Sequence, residues 1–234
     1  MFAKRFPFFA VAVYFLATVF AFPTHNSRAL AQDRVDGNTA SALSTAEVAE
    51  GFQSLFDGKS LQGWKGNLNV FRVEQNAIVG GSLERALPNN EFLRSEKMYG
   101  DFELRLQFKL VGENANAGVQ IRTAEIPDHH EVSGYQADMG DGWWGCLYDE
   151  SRRNRVLAGP PAEQRDKNIR VNDWNDYRIR CEGSRIQLWI NDMPTVDYTE
   201  TEPEIPRSGI IALQIHSGPP AVASYRNIRI RQLP

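Results

Sequence analysis

Residues 134–149 read Gly134-Tyr-Gln-Ala-Asp-Met-Gly-Asp-Gly-Trp-Trp-Gly-Cys-Leu-Tyr-Asp149. Strand side chains alternate between faces, so Gln136 and Asp138 share one face while Tyr135, Ala137 and Met139 share the other. Gly140, Gly142 and Gly145 free the backbone for a tight reversal, after which Leu147 and Tyr148 resume an extended run. The stretch is therefore predicted as an antiparallel hairpin with one apolar and one polar face. Trp143 and Trp144 set two flat, amphipathic rings beside the polar face.

The same period continues in both directions. Residues 101–111 alternate Phe102, Leu104, Leu106, Phe108 and Leu110 against Glu103, Arg105, Gln107 and Lys109, which predicts a long half-buried strand. Runs at 70–74 and 77–79 flank a Gln75-Asn76 turn. Further runs at 118–123, 172–181, 185–191, 195–198, 208–216 and 223–232 are separated by turn residues such as 182–184 and 191–192. Only one helix start is evident: Ser44-Thr45-Ala46-Glu47 fits a capping box, with Leu43 and Val48 spaced as a hydrophobic staple and Gly51 closing the element. Strands in this number with almost no helix predict an all-β jelly-roll sandwich of two antiparallel sheets.

The chain begins with Lys4 and Arg5, an uncharged apolar run over 7–22, and Ala29-Leu30-Ala31, the layout of a secretory signal cleaved after residue 31. The apolar run is short for a membrane span, so the expectation is export to the periplasm or beyond, with no membrane anchor after cleavage. Residues 32–43 are small and polar and read as a disordered leader; residues 44–234 read as one domain. The whole chain carries −3, and losing Lys4, Arg5 and Arg28 with the signal leaves −6, which argues against nucleic acid or anionic lipid as partner. Cys146 and Cys181 permit one disulfide or two buried thiols, and Asp128-His129-His130-Glu131 reads as a solvated polar loop.

Three predicted strands carry i, i+2 polar pairs opposite apolar neighbours: Gln120 and Arg122, Gln136 and Asp138, Gln214 and His216. An isolated pair of this kind is ordinarily a wet sheet face. Three such pairs, with an arginine and a histidine but no lysine among them, are expected to converge on one concave polar face. Rings beside carboxylate, amide and imidazole groups suit a sugar.

An ordered series of motifs resembles a known family. Gly51-Phe-Gln-Ser-Leu-Phe-Asp-Gly-Lys-Ser-Leu-Gln-Gly-Trp64, Tyr99-Gly-Asp-Phe-Glu-Leu104, Asn116-Ala-Gly-Val-Gln-Ile-Arg122, Gly134-Tyr-Gln136, Gly145-Cys-Leu-Tyr-Asp149 and Tyr225-Arg-Asn-Ile228 look like the 3-keto-disaccharide hydrolase domain, over about residues 44–233. The resemblance implies a concanavalin A-like jelly roll acting on di- or oligosaccharides or glucosides already oxidised to a ketone at C3, as hydrolase or lyase. That ketone acidifies the C2 hydrogen, so a base can remove it and the C1 substituent can leave by elimination, with or without addition of water. On this basis Asp138 or His216 is the expected base, Arg122 with Gln136 the enediolate clamp, and Tyr148 or Glu150 the leaving-group acid. Gln120, Gln214, Trp143 and Trp144 complete the expected substrate contacts, and a divalent cation chelated by substrate is the alternative oxyanion stabiliser.

Two further readings are weighed against this one. Jelly-roll glucanases set catalytic acids along one strand as E-x-D-x-x-E, whereas this strand has Gln136 at the first acidic position, which disfavours the two-carboxylate hydrolysis of an unoxidised glycoside. A non-catalytic carbohydrate-binding module would use Tyr135, Trp143 and Trp144 as stacking platforms; a titratable histidine grouped with a carboxylate leans against it.

Overall fold

The alternating runs become two stacked antiparallel sheets. A computed structural model of the chain describes residues 43–234, so the expected signal at 1–31 and leader residues 32–42 lie outside the described residues. One sheet has seven strands in the spatial order Val156–Ala158 (β10), Leu147–Glu150 (β9), Val132–Gly140 (β8), Asn116–Glu125 (β7), Gly209–Ile215 (β14), Glu91–Tyr99 (β5) and Trp64–Lys65 (β2). The other runs Met193–Thr199 (β13), Arg185–Ile190 (β12), Asn175–Glu182 (β11), Phe102–Gly112 (β6), Ala221–Gln232 (β15), Ala77–Ser82 (β4) and Phe71–Glu74 (β3), with Gln53–Ser54 (β1) paired to β15. This is the predicted concanavalin-like sandwich.

The apolar half of each alternating run lines the space between the sheets. Leu104, Leu106 and Phe108 of β6 meet Tyr135, Ala137 and Met139 of β8 and Ile211, Leu213 and Ile215 of β14 in one core cluster. Removing such side chains from water is the main term that stabilises the sandwich, about 25 cal/mol per Å² of apolar surface. The predicted turns close as their residues dictate: Gln75-Asn76 between β3 and β4, and Asn191-Asp192 between β12 and β13, both have positive φ at each central residue, the twist that suits a two-residue hairpin.

The single helix, α1 (Thr45–Ala49), starts on the predicted box: Ser44 Oγ accepts from Glu47 N at 3.2 Å and Ser44 N donates to Glu47 Oε2 at 3.0 Å. The expected staple is absent, because Val48 is 59% exposed on a helix too short to bury any residue. An ion pair between Glu47 and Arg229 ties the helix to β15 instead.

Both cysteines are free and buried. Cys181 lies between the sheets in the core cluster. Cys146 sits on the other side of the seven-stranded sheet, against Gly159, where a Cβ would come within 2.7 Å of its sulfur.

Candidate active site

The face of the seven-stranded sheet turned away from the core carries the polar pairs. In register, Tyr148, Gln136 and Gln120 form one row across β9, β8 and β7, and Asp138, Gly118 and Gln214 form the next across β8, β7 and β14. Period-two alternation thus brings together five of the residues singled out in the sequence.

Their side chains form a one-way chain of hydrogen bonds. Thr123 Oγ1 donates to Gln120 Oε1 at 2.9 Å, Gln120 Nε2 to Gln136 Oε1 at 2.6 Å, and Gln136 Nε2 to Asp138 Oδ1 at 2.6 Å. The chain runs from the Thr123 hydroxyl through both amides to the Asp138 carboxyl. Gly118 makes room for the chain: a Cβ there would stand 2.5 Å from Gln136 Cγ and Cδ.

The polar side chains at the centre of this face are buried, unlike those of an ordinary wet sheet face. Asp138 is 2% exposed and Gln214 0%. Residues 126–131 close over one side, where Arg94 Nη2 donates to the His130 carbonyl at 2.7 Å and Asn90 Nδ2 to Glu131 Oε1 at 3.1 Å. Residues 159–165 close the other, with Gly159 against Cys146 and Arg165 bonded to the Pro160 and Gly142 carbonyls. Phe92, Val132 and Ala212 form a small apolar cluster on this face, separate from the main core.

Burial without a cation partner sets the electrostatics. Desolvation raises the Asp138 carboxyl well above the ordinary range; the Gln136 bond opposes this and the Glu150 charge adds to it. Desolvation, reinforced by the Glu131 charge, pushes Glu150 up to about 7. Glu150 Oε2 takes Gln214 Nε2 at 3.4 Å, so the carboxylate reaches over the face from β9 toward β14. Behind it, buried Asp149 is clamped by Arg152 and Arg153, and Arg153 also holds Glu200 and Glu202, which fixes the end of β9. Burial, then Glu150 and Asp138, raises the Tyr148 phenol and keeps it a proton donor.

His216 follows the last residue of β14, its backbone N donating to Asn116 O at 3.1 Å. The His216 Nδ1 stands 2.7 Å from the Ser217 carbonyl, which can only accept, so Nδ1 carries a proton. The two tryptophans separate. Trp143 is 40% exposed and meets Tyr148 edge to face at 6.0 Å, a ring pair at the rim. Trp144 stacks on Phe108 of the opposite sheet at 6.1 Å and 19°, so it packs on the core and is no sugar platform. Tyr135 is likewise in the core, its hydroxyl donating to Glu200 at 2.5 Å.

Arg122 is not in the site. The register of β7 against β8 shifts between Ile121 and Ala124, and Arg122 takes φ 48° at this bulge, which breaks the alternation the sequence suggested. Its guanidinium bonds the Gly100 and Gly183 carbonyls at 2.9 and 2.7 Å and Asp101 at 2.6 Å, joining the β5–β6 connection between the sheets to the β11–β12 turn of the facing sheet. Thr123 takes the outward position. Sequence reasoning passed over Thr123, Gly118, Asn116 and Glu131; the only signal was the Asn116-Ala-Gly-Val-Gln motif itself. Among the described residues no group of three His, Cys, Asp or Glu side chains is arranged to hold a metal ion.

Residues 51–231 match the 3-keto-alpha-glucoside-1,2-lyase-like domain. No curated protein matches the chain. Among solved structures, a candidate glycosyl hydrolase from Parabacteroides distasonis is 19% identical with a TM-score of 0.64, covering 84% of this chain and all of that one. A carbohydrate-binding module from Bacillus subtilis is 16% identical with a TM-score of 0.55, over 71% of this chain and 94% of that one. A β-glucanase from Bacillus licheniformis is 10% identical with a TM-score of 0.52, over 78% and 99%. At these identities the likeness is one of fold.

Proposed function

This chain belongs to the 3-keto-alpha-glucoside-1,2-lyase-like domain family and is carbohydrate-active, and from that premise we propose that it is an exported enzyme cleaving glycosides oxidised to a ketone at C3. The observation that carries the reading is Glu150: a half-buried carboxyl pushed up to about 7, near the buried Asp138 carboxyl that desolvation also raises, is poised for proton transfer near neutrality.

Glu150 takes the C2 proton. The Asp138 carboxyl, with Oδ1 held by Gln136, donates through its other oxygen to the enediolate, the part the sequence had suggested for Arg122. The enediolate then collapses: C3=O re-forms, the C2=C3 pair becomes a C1=C2 double bond, and the C1–O bond breaks with its electron pair on the leaving oxygen, which takes a proton from Tyr148. Addition of water across the C1=C2 bond gives net hydrolysis. Trp143 with Tyr148 offers the ring edge on which a sugar can lie.

The test is incubation with 3-keto-trehalose or an aryl 3-keto-glucoside, following release of sugar or aglycone, with the unoxidised glycosides as controls. Release confined to the keto substrates and lost in Glu150→Gln supports the reading. Equal release from both substrate forms overturns it, and binding without release makes the domain a carbohydrate-binding module, the fold relationship noted above.

A further inference from the structure

The hydrogen bonds of the outer face leave a set of unmet acceptors at one end. Gln214 is fully buried and its Nε2 is engaged by Glu150, yet its Oε1 has no donor. Asn116 Oδ1, on the next row of β7, is buried and unpaired in the same way. The third is Glu131 Oε2, whose partner oxygen accepts from Asn90. The three residues are linked through their neighbours: Asn90 Oδ1 accepts from Ser217 N at 2.9 Å, His216 N donates to Asn116 O, and the Glu131 charge is felt by Glu150, which holds Gln214. The Asp-His-His-Glu loop, read from sequence as solvated, therefore turns its last side chain inward; that side chain is 16% exposed.

All three unmet atoms accept and none donates. A buried donor without a partner, Arg94 Nε, stands on β5 with its Nη2 turned to His130. A buried acceptor without a donor is costly, and the cost is relieved by a ligand that brings O–H groups. A carboxylate would bring neither proton nor opposite charge to a pocket that already holds Glu131 and Glu150.

We infer that Gln214, Asn116 and Glu131 form a subsite that grips the hydroxyl groups of an uncharged sugar ring and rejects uronic acids, with Glu131 as the discriminating residue. The inference rests on the outer face taking a sugar and not on its cleaving one. It narrows the substrate to neutral glycosides, and a pocket that hydrogen-bonds hydroxyls penalises analogues that leave its polar atoms unpaired.

Calorimetric titration of the full chain with unoxidised sugars tests it apart from catalysis, using trehalose against the same disaccharide with one ring oxidised to the uronate. Wild type is expected to bind the neutral sugar more tightly by about 30-fold or more. Glu131→Gln, an isosteric change, should close most of that gap by gaining uronate affinity, while Gln214→Met, with its melting temperature checked against wild type, should weaken the neutral sugar by about tenfold. Equal wild-type affinities, no detectable neutral binding, an unchanged ratio in Glu131→Gln, or neutral binding abolished by EDTA would each overturn the inference. If the ratio holds while 3-keto-glycosides go uncleaved, the catalytic reading falls and this one stands.

Discussion

The Gln136 amide donates to Asp138 Oδ1 at 2.6 Å from two residues earlier on the same face of β8, and it can do so only because Gly118 leaves the space above its own backbone empty. A glycine on one strand thus decides where a carboxyl on the next strand is held. Gly118→Ala should force Gln136 aside, costing about 1–3 kcal/mol of stability by overpacking. It should also lower turnover on a 3-keto-glycoside by at least about tenfold. Wild-type turnover at an unchanged melting temperature would show that the amide chain does not position Asp138.

Glu150 gives the pH dependence a sign. As a base it works deprotonated, so kcat/KM should rise with pH through about 7. Glu150→Gln should remove that limb and lower turnover by about 10²–10⁴-fold.

Stability runs the other way. A carboxyl raised in the folded state contributes stability that is present below its unfolded value and lost as pH climbs through the folded one. Between pH 5 and pH 8 the wild type should therefore lose about 1–2 kcal/mol relative to Glu150→Gln, the half-exposed position and screening trimming a larger shift. Parallel denaturant titrations at the two pH values measure it; a constant difference between the proteins contradicts the assignment.

Asp138→Asn keeps an acceptor for Gln136 and removes a desolvated acid, so the variant should fold and be at least as stable as wild type at pH 8. Its turnover should fall by about tenfold, since the amide N–H can still donate to the enediolate but is a weaker hydrogen-bond acid than a carboxyl. A variant that keeps near wild-type turnover removes Asp138 from the chemistry.

Arg122→Met should behave in the opposite manner. Its side chain is 2% exposed and pairs with Asp101 and two turn carbonyls, so its loss should destabilise by about 3 kcal/mol or more. Turnover per folded molecule should stay within about twofold, because no atom of Arg122 reaches the outer face. Activity lost at full stability would return Arg122 to the site.

The two tryptophans divide in the same way. Trp143→Ala should raise KM with little effect on the melting temperature, whereas Trp144→Ala removes a ring stacked on Phe108 and should cost about 2–4 kcal/mol. Measured KM and thermal midpoints for the pair check both at once.

Alternation by itself determined the sandwich. A strand's side chains switch faces every residue, so Phe102 to Leu110 and Tyr135 to Met139 declared a core-facing side whatever their partners. The same rule gathered Gln120, Gln136, Asp138, Tyr148 and Gln214 onto one face, and the Ser44–Glu47 capping box was local enough to read directly. Arg122 went wrong because one bulged residue with positive φ resets the period, and nothing local in the sequence marks it. Trp144 and Trp143 are adjacent in sequence and differ only in which body they meet, Phe108 of the other sheet or Tyr148 of their own. The acidities of Asp138 and Glu150 also belong to the tertiary structure alone, since desolvation and the nearness of Glu131 arise only when residues 126–131 and 159–165 close over the sheet.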